Sequence, residues 1–295
     1  MTPKPKVLWL QGITCNGNSH SFMNASDLNR LLEDFDFVHH PVFPTPFSIE
    51  SVALKRVDAD ILVIEGALRE KGFMRAGVEV YEIARHYAKR ANRIICVGNC
   101  ASFGGIFKES DPGKITGALF EGERKRGLLE EFAHKTINLP GCPVHPQWLS
   151  YTLRMIKNHR NIRLDNLFRP VELYGYTVHE GCLRNEYFEW KVDADSYGHK
   201  EGCLFYKQGC QGPFTHGSCN RILWNEVSSK TRAGMPCIGC TEPDFPSGRL
   251  FETKTLMSIP ARLPLGVPKR AYLTLVGVAK AFSIPRLEKR KFDED

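Results

Sequence analysis

The densest group of potential metal ligands in this chain lies between residues 179 and 240. Six of the ten cysteines of the 295-residue sequence fall in this stretch. Short runs containing Gly, Pro and Asn separate them, with little sustained helix or strand periodicity. A segment with so few core-building repeats needs another source of folding energy, and bound metal supplies it directly. In chain order the candidate ligands are His179, Cys182, Cys203, Cys210, Cys219, Cys237 and Cys240.

The number of ligands favours iron–sulfur clusters over zinc. Structural zinc takes four ligands, so two closed zinc sites need one ligand more than this stretch offers. The ligands divide instead into a set of four, from His179 to Cys210, and a set of three, from Cys219 to Cys240. Thiolates favour iron–sulfur clusters, and histidine can replace one of them. A disulfide framework is disfavoured because such scaffolds are usually short and secreted. A zinc-binding interaction module stays open as an alternative.

Three further cysteines each follow a predicted strand. Apolar runs at 7–10, 60–66, 93–98 and 135–139 alternate with predicted helices at 26–35 and 76–91, which is typical of a parallel sheet covered on both faces. Loops after such strands lie at the carboxyl edge, where open α/β sheets bind ligands. We therefore expect three thiols to meet there as metal ligands, and a fourth, within a strand, to be core. The three are Cys15, Cys100 and Cys142, and the core residue is Cys96.

Composition and the remaining segments restrict the function classes. A hydrophobic content of 42% supports a real core, and the formal charge of +7 is too mild and scattered for nucleic-acid binding. No apolar run is long enough to be a transmembrane segment, and no export signal is visible, so we expect a cytoplasmic protein. Residues 151–178 are predicted to form a helix and connector, 272–282 a helix, and 286–295 a charged tail.

An ordered series of motifs over about residues 7–250 resembles the small, electron-transferring subunit of nickel–iron hydrogenases. Together the motifs are far more specific than a single Cys-x2-Cys pair. They are the loop with Cys15, Ile64-Glu65-Gly66, Val97-Gly98-Asn99-Cys100-Ala101, Gly104-Gly105, Pro140-Gly141-Cys142-Pro143, His179-x2-Cys182, Gly209-Cys210-Gln211-Gly212-Pro213, Cys219, and Met235-Pro236-Cys237-Ile238-Gly239-Cys240-x-Glu242-Pro243.

This resemblance implies a fold and a role. The fold class is α/β, with a flavodoxin-like parallel-sheet domain at 1–165 followed by a loop-rich iron–sulfur cluster-binding domain at 166–295. Electrons from hydrogen oxidation at the nickel–iron site of a large partner subunit would pass through three clusters to an acceptor near the distal one. No catalytic residue is expected in this chain. The implied ligands are Cys15, Cys100 and Cys142 for a proximal cluster, His179, Cys182, Cys203 and Cys210 for a distal [4Fe-4S] cluster, and Cys219, Cys237 and Cys240 for a medial [3Fe-4S] cluster.

The first loop departs from the family pattern. The family has Cys-x2-Cys there, whereas this chain has Cys15-x2-Asn18. A carboxamide is a poor iron ligand, so we favour a proximal [3Fe-4S] cluster with an open corner. A proximal [4Fe-4S] cluster would need a fourth ligand from Asn18, His20, Asp27 or water. The sequence shows no twin-arginine leader or C-terminal anchor, as in soluble uptake hydrogenases. A complex I-like cluster subunit is a rival that shares the N-terminal domain type but lacks the seven-ligand segment.

Overall fold

A five-stranded parallel sheet forms the first part of the chain. The structure is a computed structural model, which describes residues 3–246 and 250–251. The strand order is β2-β1-β3-β7-β9, and every neighbouring pair runs parallel. This order is that of flavodoxin-like sheets and confirms the predicted α/β class. The strands are β1 (Lys6–Gln11), β2 (Asp36–His39), β3 (Ile61–Glu65), β7 (Arg93–Val97) and β9 (Thr136–Leu139).

Apolar residues on both faces of the strands explain the three-layer architecture. Alternate residues of a strand point to opposite faces. Leu8 of β1 and Leu62 of β3 therefore pack into one core cluster, and Trp9 and Val63 pack into the other. All four side chains are fully buried. The strands read as continuous apolar runs because helices cover both faces.

The helices are short apart from two. In α4, Val80, Ile83, Ala84 and Tyr87 recur at helical spacing and are buried against the sheet. The other long helix, α6, starts with a proline at its first position, where no backbone donor is needed. The helices are α1 (Gly17–Met23), α2 (Leu28–Asp34), α3 (Ile49–Ala53), α4 (Val80–Arg90), α5 (Gly98–Phe103), α6 (Pro146–Lys157), α7 (Val171–Tyr174), α8 (Asn185–Trp190) and α9 (Phe205–Gln208), with 3-10 turns at Gly105–Phe107, Glu130–Lys135 and Gly212–Phe214.

Beyond residue 175 the described chain is mostly turns and loops. Its regular elements are α8, α9 and the last 3-10 turn. A small third core cluster forms there around Val178, Leu204 and Phe205, and it includes three of the cysteines. Elsewhere two-residue strands form two small antiparallel pairs, β4 (Leu68–Arg69) with β8 (Ile115–Thr116) and β5 (Met74–Arg75) with β6 (Val78–Glu79).

Several sequence predictions need correction. The loop expected after the first strand becomes helical at Gly17, and Cys100 lies inside α5 rather than in an open loop. The helix expected at 76–91 begins only at Val80, because 74–79 form a hairpin. The edge strand β2 was not predicted, since four residues carry too little periodicity. Cys96 is fully buried within β7, which confirms its assignment to the core.

The boundary between residues 165 and 166 stays a prediction. The helix expected at 272–282 and the tail at 286–295 lie outside the described residues. Within the residues that the structure describes, no helix is both long and apolar enough to cross a membrane.

Candidate metal centres

The sheet edge brings Cys15, Cys100 and Cys142 together. Cys15 follows β1, Cys100 lies in α5 directly after β7, and Cys142 follows β9. The pKa of the Cys100 thiol is raised to about 12, mainly by burial and in part by the neighbouring Cys142 and Cys15. Cys100 therefore lies near both other thiols, and the role of the three as metal ligands stays a prediction. The side chains of Cys15 and Cys142 are exposed at this edge.

Two glycines allow the chain to approach this group closely. Gly105 has φ +52°, and a Cβ there would lie 2.4 Å from the Cys100 sulfur. Gly98 has φ +85°, and its Cβ would lie 2.4 Å from the Asn18 amide nitrogen. Both positions need glycine for the positive φ and for space. The backbone thus leaves room beside the Cys100 thiol and beside Asn18.

Asn18 is buried and already has partners within the protein. Its carbonyl oxygen accepts a hydrogen bond from the Val144 N–H at 2.8 Å. Of the other candidate fourth ligands, Asp27 pairs with Arg154 and accepts a hydrogen bond from the Ser150 hydroxyl, and His20 is exposed on α1. A ligand role for the Asn18 oxygen or for Asp27 would compete with these contacts for the oxygen lone pairs.

The Glu65 carboxylate organises the Cys15 loop. It is fully buried at the end of β3. One oxygen accepts hydrogen bonds from the Asn18 N–H at 3.0 Å and the Ser19 N–H at 3.1 Å, and the other accepts one from the Trp9 indole at 2.9 Å. The Ser19 hydroxyl and Gln11 also donate to it. The carboxylate therefore satisfies buried donors at the start of α1, which explains why this loop is ordered.

The set of four predicted distal ligands faces one cavity. Its lining includes His179, Cys182, Cys203 and Cys210. Backbone N–H groups point at two of the sulfurs: Phe205 donates to Cys203 at 3.4 Å, and Cys237 donates to Cys210 at 3.2 Å. Hydrogen bonds to sulfur are a known way in which proteins stabilise and tune iron–sulfur clusters. The His179 ring packs edge-on against Phe188, with 4.5 Å between ring centroids.

The four candidate distal ligands line a cavity and do not converge on a single point. Within residues 3–246 and 250–251, no three His, Cys, Asp or Glu side chains converge tightly enough for a single metal ion. Zinc needs all its ligands within about 2.0–2.3 Å of one centre. A cluster needs one ligand for each of several irons, so thiols around a cavity, with N–H donors at their sulfurs, fit it.

Cys219, Cys237 and Cys240 lie beside each other and beside the sheet domain. The pKa of Cys219 is raised to about 12, mainly by burial and in part by the nearby Cys240. The Asn99 amide donates to the Cys240 carbonyl at 3.1 Å, which ties this group to the residue before Cys100. Within the first part of the chain, the Tyr174 hydroxyl donates to the Pro140 carbonyl at 2.8 Å, two residues before Cys142. The Asn99 contact places Cys240 next to the segment that carries Cys100.

Sequence reasoning missed three buried cations around the thiols. Lys108 donates to the carbonyls of Pro243 and Phe245, at 2.8 and 3.0 Å. Arg169 and Arg184 are 4% and 6% exposed. The only available signal for Arg184 was its position two residues after Cys182, and the other two carried none.

Comparison with known proteins accounts for both halves of the chain. Residues 174–252 match the C-terminal family of NiFe/NiFeSe hydrogenase small subunits, and residues 15–156 match the family of the NADH ubiquinone oxidoreductase 20 Kd subunit. The periplasmic [NiFe] hydrogenase small subunit of Solidesulfovibrio fructosivorans is 31% identical over 257 residues, covering 82% of this chain and 79% of that protein. The F420 non-reducing hydrogenase I small subunit of Methanosarcina mazei is also 31% identical, covering 82% and 73%.

Solved structures of hydrogenases are also similar to this chain. The [NiFeSe] hydrogenase from Desulfovibrio vulgaris Hildenborough superimposes with a TM-score of 0.69 at 26% identity, covering 86% of this chain and 99% of that one. An actinobacterial-type NiFe-hydrogenase from Ralstonia eutropha shares the fold, with a TM-score of 0.72 at 23% identity.

The chain belongs to the small subunits of nickel–iron hydrogenases. It is the electron-transfer part of an oxidoreductase that pairs with a large subunit, and its family carries iron–sulfur clusters. The match to the complex I family is confined to residues 15–156, whereas the hydrogenase relatives span both parts of the chain. The complex I-like and zinc-module alternatives are therefore set aside.

Proposed function

We propose that this chain conducts electrons from hydrogen oxidation through three specific clusters. Cys15, Cys100 and Cys142 would hold the proximal cluster nearest the large subunit. His179, Cys182, Cys203 and Cys210 would hold a distal [4Fe-4S] cluster, and Cys219, Cys237 and Cys240 a medial [3Fe-4S] cluster. The observation that carries the proposal is the cavity lined by all four distal candidates, with backbone N–H groups aimed at two of its sulfurs.

Such clusters supply reversible one-electron chemistry, and the protein's residues determine where it occurs. The exposed thiols of Cys15 and Cys142 suit a face covered by the large subunit. The Asn99 hydrogen bonds to the Cys240 and Glu242 carbonyls hold the end of the medial loop against that edge. His179, partly exposed beside the distal cavity, suits an acceptor that docks there.

For the proximal site we favour three irons. The Asn18 oxygen accepts the Val144 N–H, and Asp27 is engaged with Arg154, so neither is presented as a ready iron ligand. This supports an open corner over a fourth protein ligand. Fewer anionic ligands should raise the potential of the proximal cluster.

Spectroscopy of the anaerobically purified heterodimer tests this assignment. We expect iron and acid-labile sulfide, two three-iron signals in the oxidised state and one four-iron signal after reduction. Asn18→Cys should convert one three-iron site to a four-iron site of lower potential and leave the others unchanged. Four irons at the unmodified proximal site, with an oxygen ligand, would refute the open corner. Zinc without sulfide would refute the redox proposal altogether.

The cellular compartment remains a hypothesis. We propose the cytoplasm on the sequence pattern alone, while three of the similar small subunits are named periplasmic. Cell fractionation with a compartment marker separates the two, and recovery in the periplasmic fraction would reject our proposal. The domain division at 165/166 is likewise proposed, and limited proteolysis between the two parts would test it.

A further inference from the structure

Arg184 buries a guanidinium group among backbone carbonyls. The residue is 6% exposed. Its Nε donates to the Thr231 carbonyl at 2.8 Å, and Nη1 donates to those of Gly202 at 2.7 Å and Glu201 at 3.2 Å. Nη2 donates to the His199 carbonyl. The hydrogen-bonding groups are satisfied, but every acceptor is neutral.

The positive charge itself has no carboxylate partner in the part of the chain that the structure describes. No Asp or Glu oxygen there lies within ion-pair distance of Arg184, whereas the equally buried Arg169 pairs with Asp165 at 2.8 Å and Glu242 at 3.3 Å. Burying a charge without a counter-charge is costly. A negative group from another source is therefore needed beside Arg184.

The position of Arg184 identifies that group. Arg184 lines the same cavity as the four proposed distal ligands, and it follows Cys182 by two residues. Two of its carbonyl partners come before other cysteines in the sequence. Gly202 directly precedes Cys203, and Thr231 lies a few residues before Cys237. The cavity is thus the place where bound thiolates would concentrate negative charge next to the guanidinium.

We propose that Arg184 is the counter-charge of the distal cluster and raises its reduction potential. This inference rests on the proposed distal assignment. A nearby positive charge stabilises the added electron. The reduced cluster therefore becomes more stable relative to the oxidised cluster. Arg184 acts as a positioning residue as well, because its hydrogen bonds hold the chain just before Cys203.

Two substitutions in the complete heterodimer separate charge from hydrogen bonding. Arg184→Lys keeps the charge and Arg184→Met removes it, and both lose the guanidinium fork. In a redox titration followed by electron paramagnetic resonance, we expect Arg184→Lys to stay near wild type. Arg184→Met should shift the distal oxidised-to-reduced ratio about tenfold toward oxidised, which is ~59 mV for one electron. The proximal and medial potentials should not move.

The control is Arg221→Gln, which removes a solvent-exposed guanidinium that stacks over Tyr176 at 3.8 Å. Water screens that charge, so its effect should be much smaller. Loss of the distal cluster in Arg184→Met but not in Arg184→Lys would also support the counter-charge. Equal potentials in the two variants, or equal loss of the cluster in both, would overturn it. A wild-type heterodimer without a four-iron signal would refute the distal assignment first, and this inference with it.

Discussion

The sheet-edge site and the loop-rich sites position their cysteines by different means. At the sheet edge, Cys15, Cys100 and Cys142 follow strands whose backbone ladders and apolar faces form the core of the domain. In the loop-rich part, Cys203 and Cys210 are held by turns, by N–H groups on their sulfurs and by Arg184. The first arrangement is supported by the fold, while the second depends far more on the bound cluster.

We expect the largest effect when the clusters are removed from the heterodimer by anaerobic chelation. Ligand binding is the main folding energy of the loop-rich part, so amides between 203 and 240 should lose protection against hydrogen exchange. We expect at least about a thousandfold, equal to about 4 kcal/mol of local stability. Amides of β1, β3 and β7 should keep most of their protection. Equal losses in both regions would contradict the comparison.

The Glu65→Ala substitution instead changes the sheet-edge site, because it removes the carboxylate that organises the Cys15 loop. It leaves the buried N–H groups of Asn18 and Ser19 without an acceptor. We expect the free energy of unfolding to fall by about 3 kcal/mol, because unsatisfied buried donors keep their full desolvation penalty. The distal spectrum should not change. The matched control is Glu79→Ala, whose half-buried carboxylate accepts the Gly72 and Phe73 N–H groups on a hairpin. A loss as small as the control's would show that Glu65 does not hold the loop.

A pair of glycines measures how tightly Asn18 is enclosed. Gly98 and Gly77 both have positive φ, but a Cβ at Gly77 meets nothing within 4 Å. Both alanine variants lose the same conformational freedom, and only Gly98→Ala collides with Asn18. We expect it to cost about 2 kcal/mol more than Gly77→Ala in chemical denaturation, the usual penalty for overpacking. It should also perturb the proximal spectrum. Equal costs would mean that Asn18 has room to move.

Mild acid should weaken the sheet domain through His40. Burial lowers the pKa of His40 to about 3, and its ring stacks on Phe43 beside Trp9. Because the folded pKa lies below the unfolded value of 6.5, this stabilisation is complete above pH 6.5 and is lost as pH falls toward 3. At pH 5.5 we expect a loss of about 1 kcal/mol. His40→Phe should flatten this part of the stability profile, whereas Phe43→Leu should lower stability at every pH. An unchanged slope in His40→Phe would remove His40 as the cause.

The sequence alone determined the features that repeat locally or depend on residue type. Continuous apolar runs predicted four of the five sheet strands, and the positions of Cys15, Cys100 and Cys142 after strands predicted that they meet. The order of His179 and the six cysteines that follow it predicted iron–sulfur clusters, which this family carries. Short elements such as α1, α5 and β2 were missed, because they are too short to be stable alone and form only against the rest of the protein.

Only the tertiary structure decided which side chains complete the sites. The Asn18 oxygen accepts a hydrogen bond from the Val144 N–H, 126 residues away in the sequence. The Asn99 amide donates to the Cys240 carbonyl at a separation of 141 residues. The sequence does not show that Arg184 is buried, yet in the folded chain its guanidinium donates to four backbone carbonyls. No local pattern encodes such contacts, because burial and hydrogen-bond partners depend on which segments cross in space.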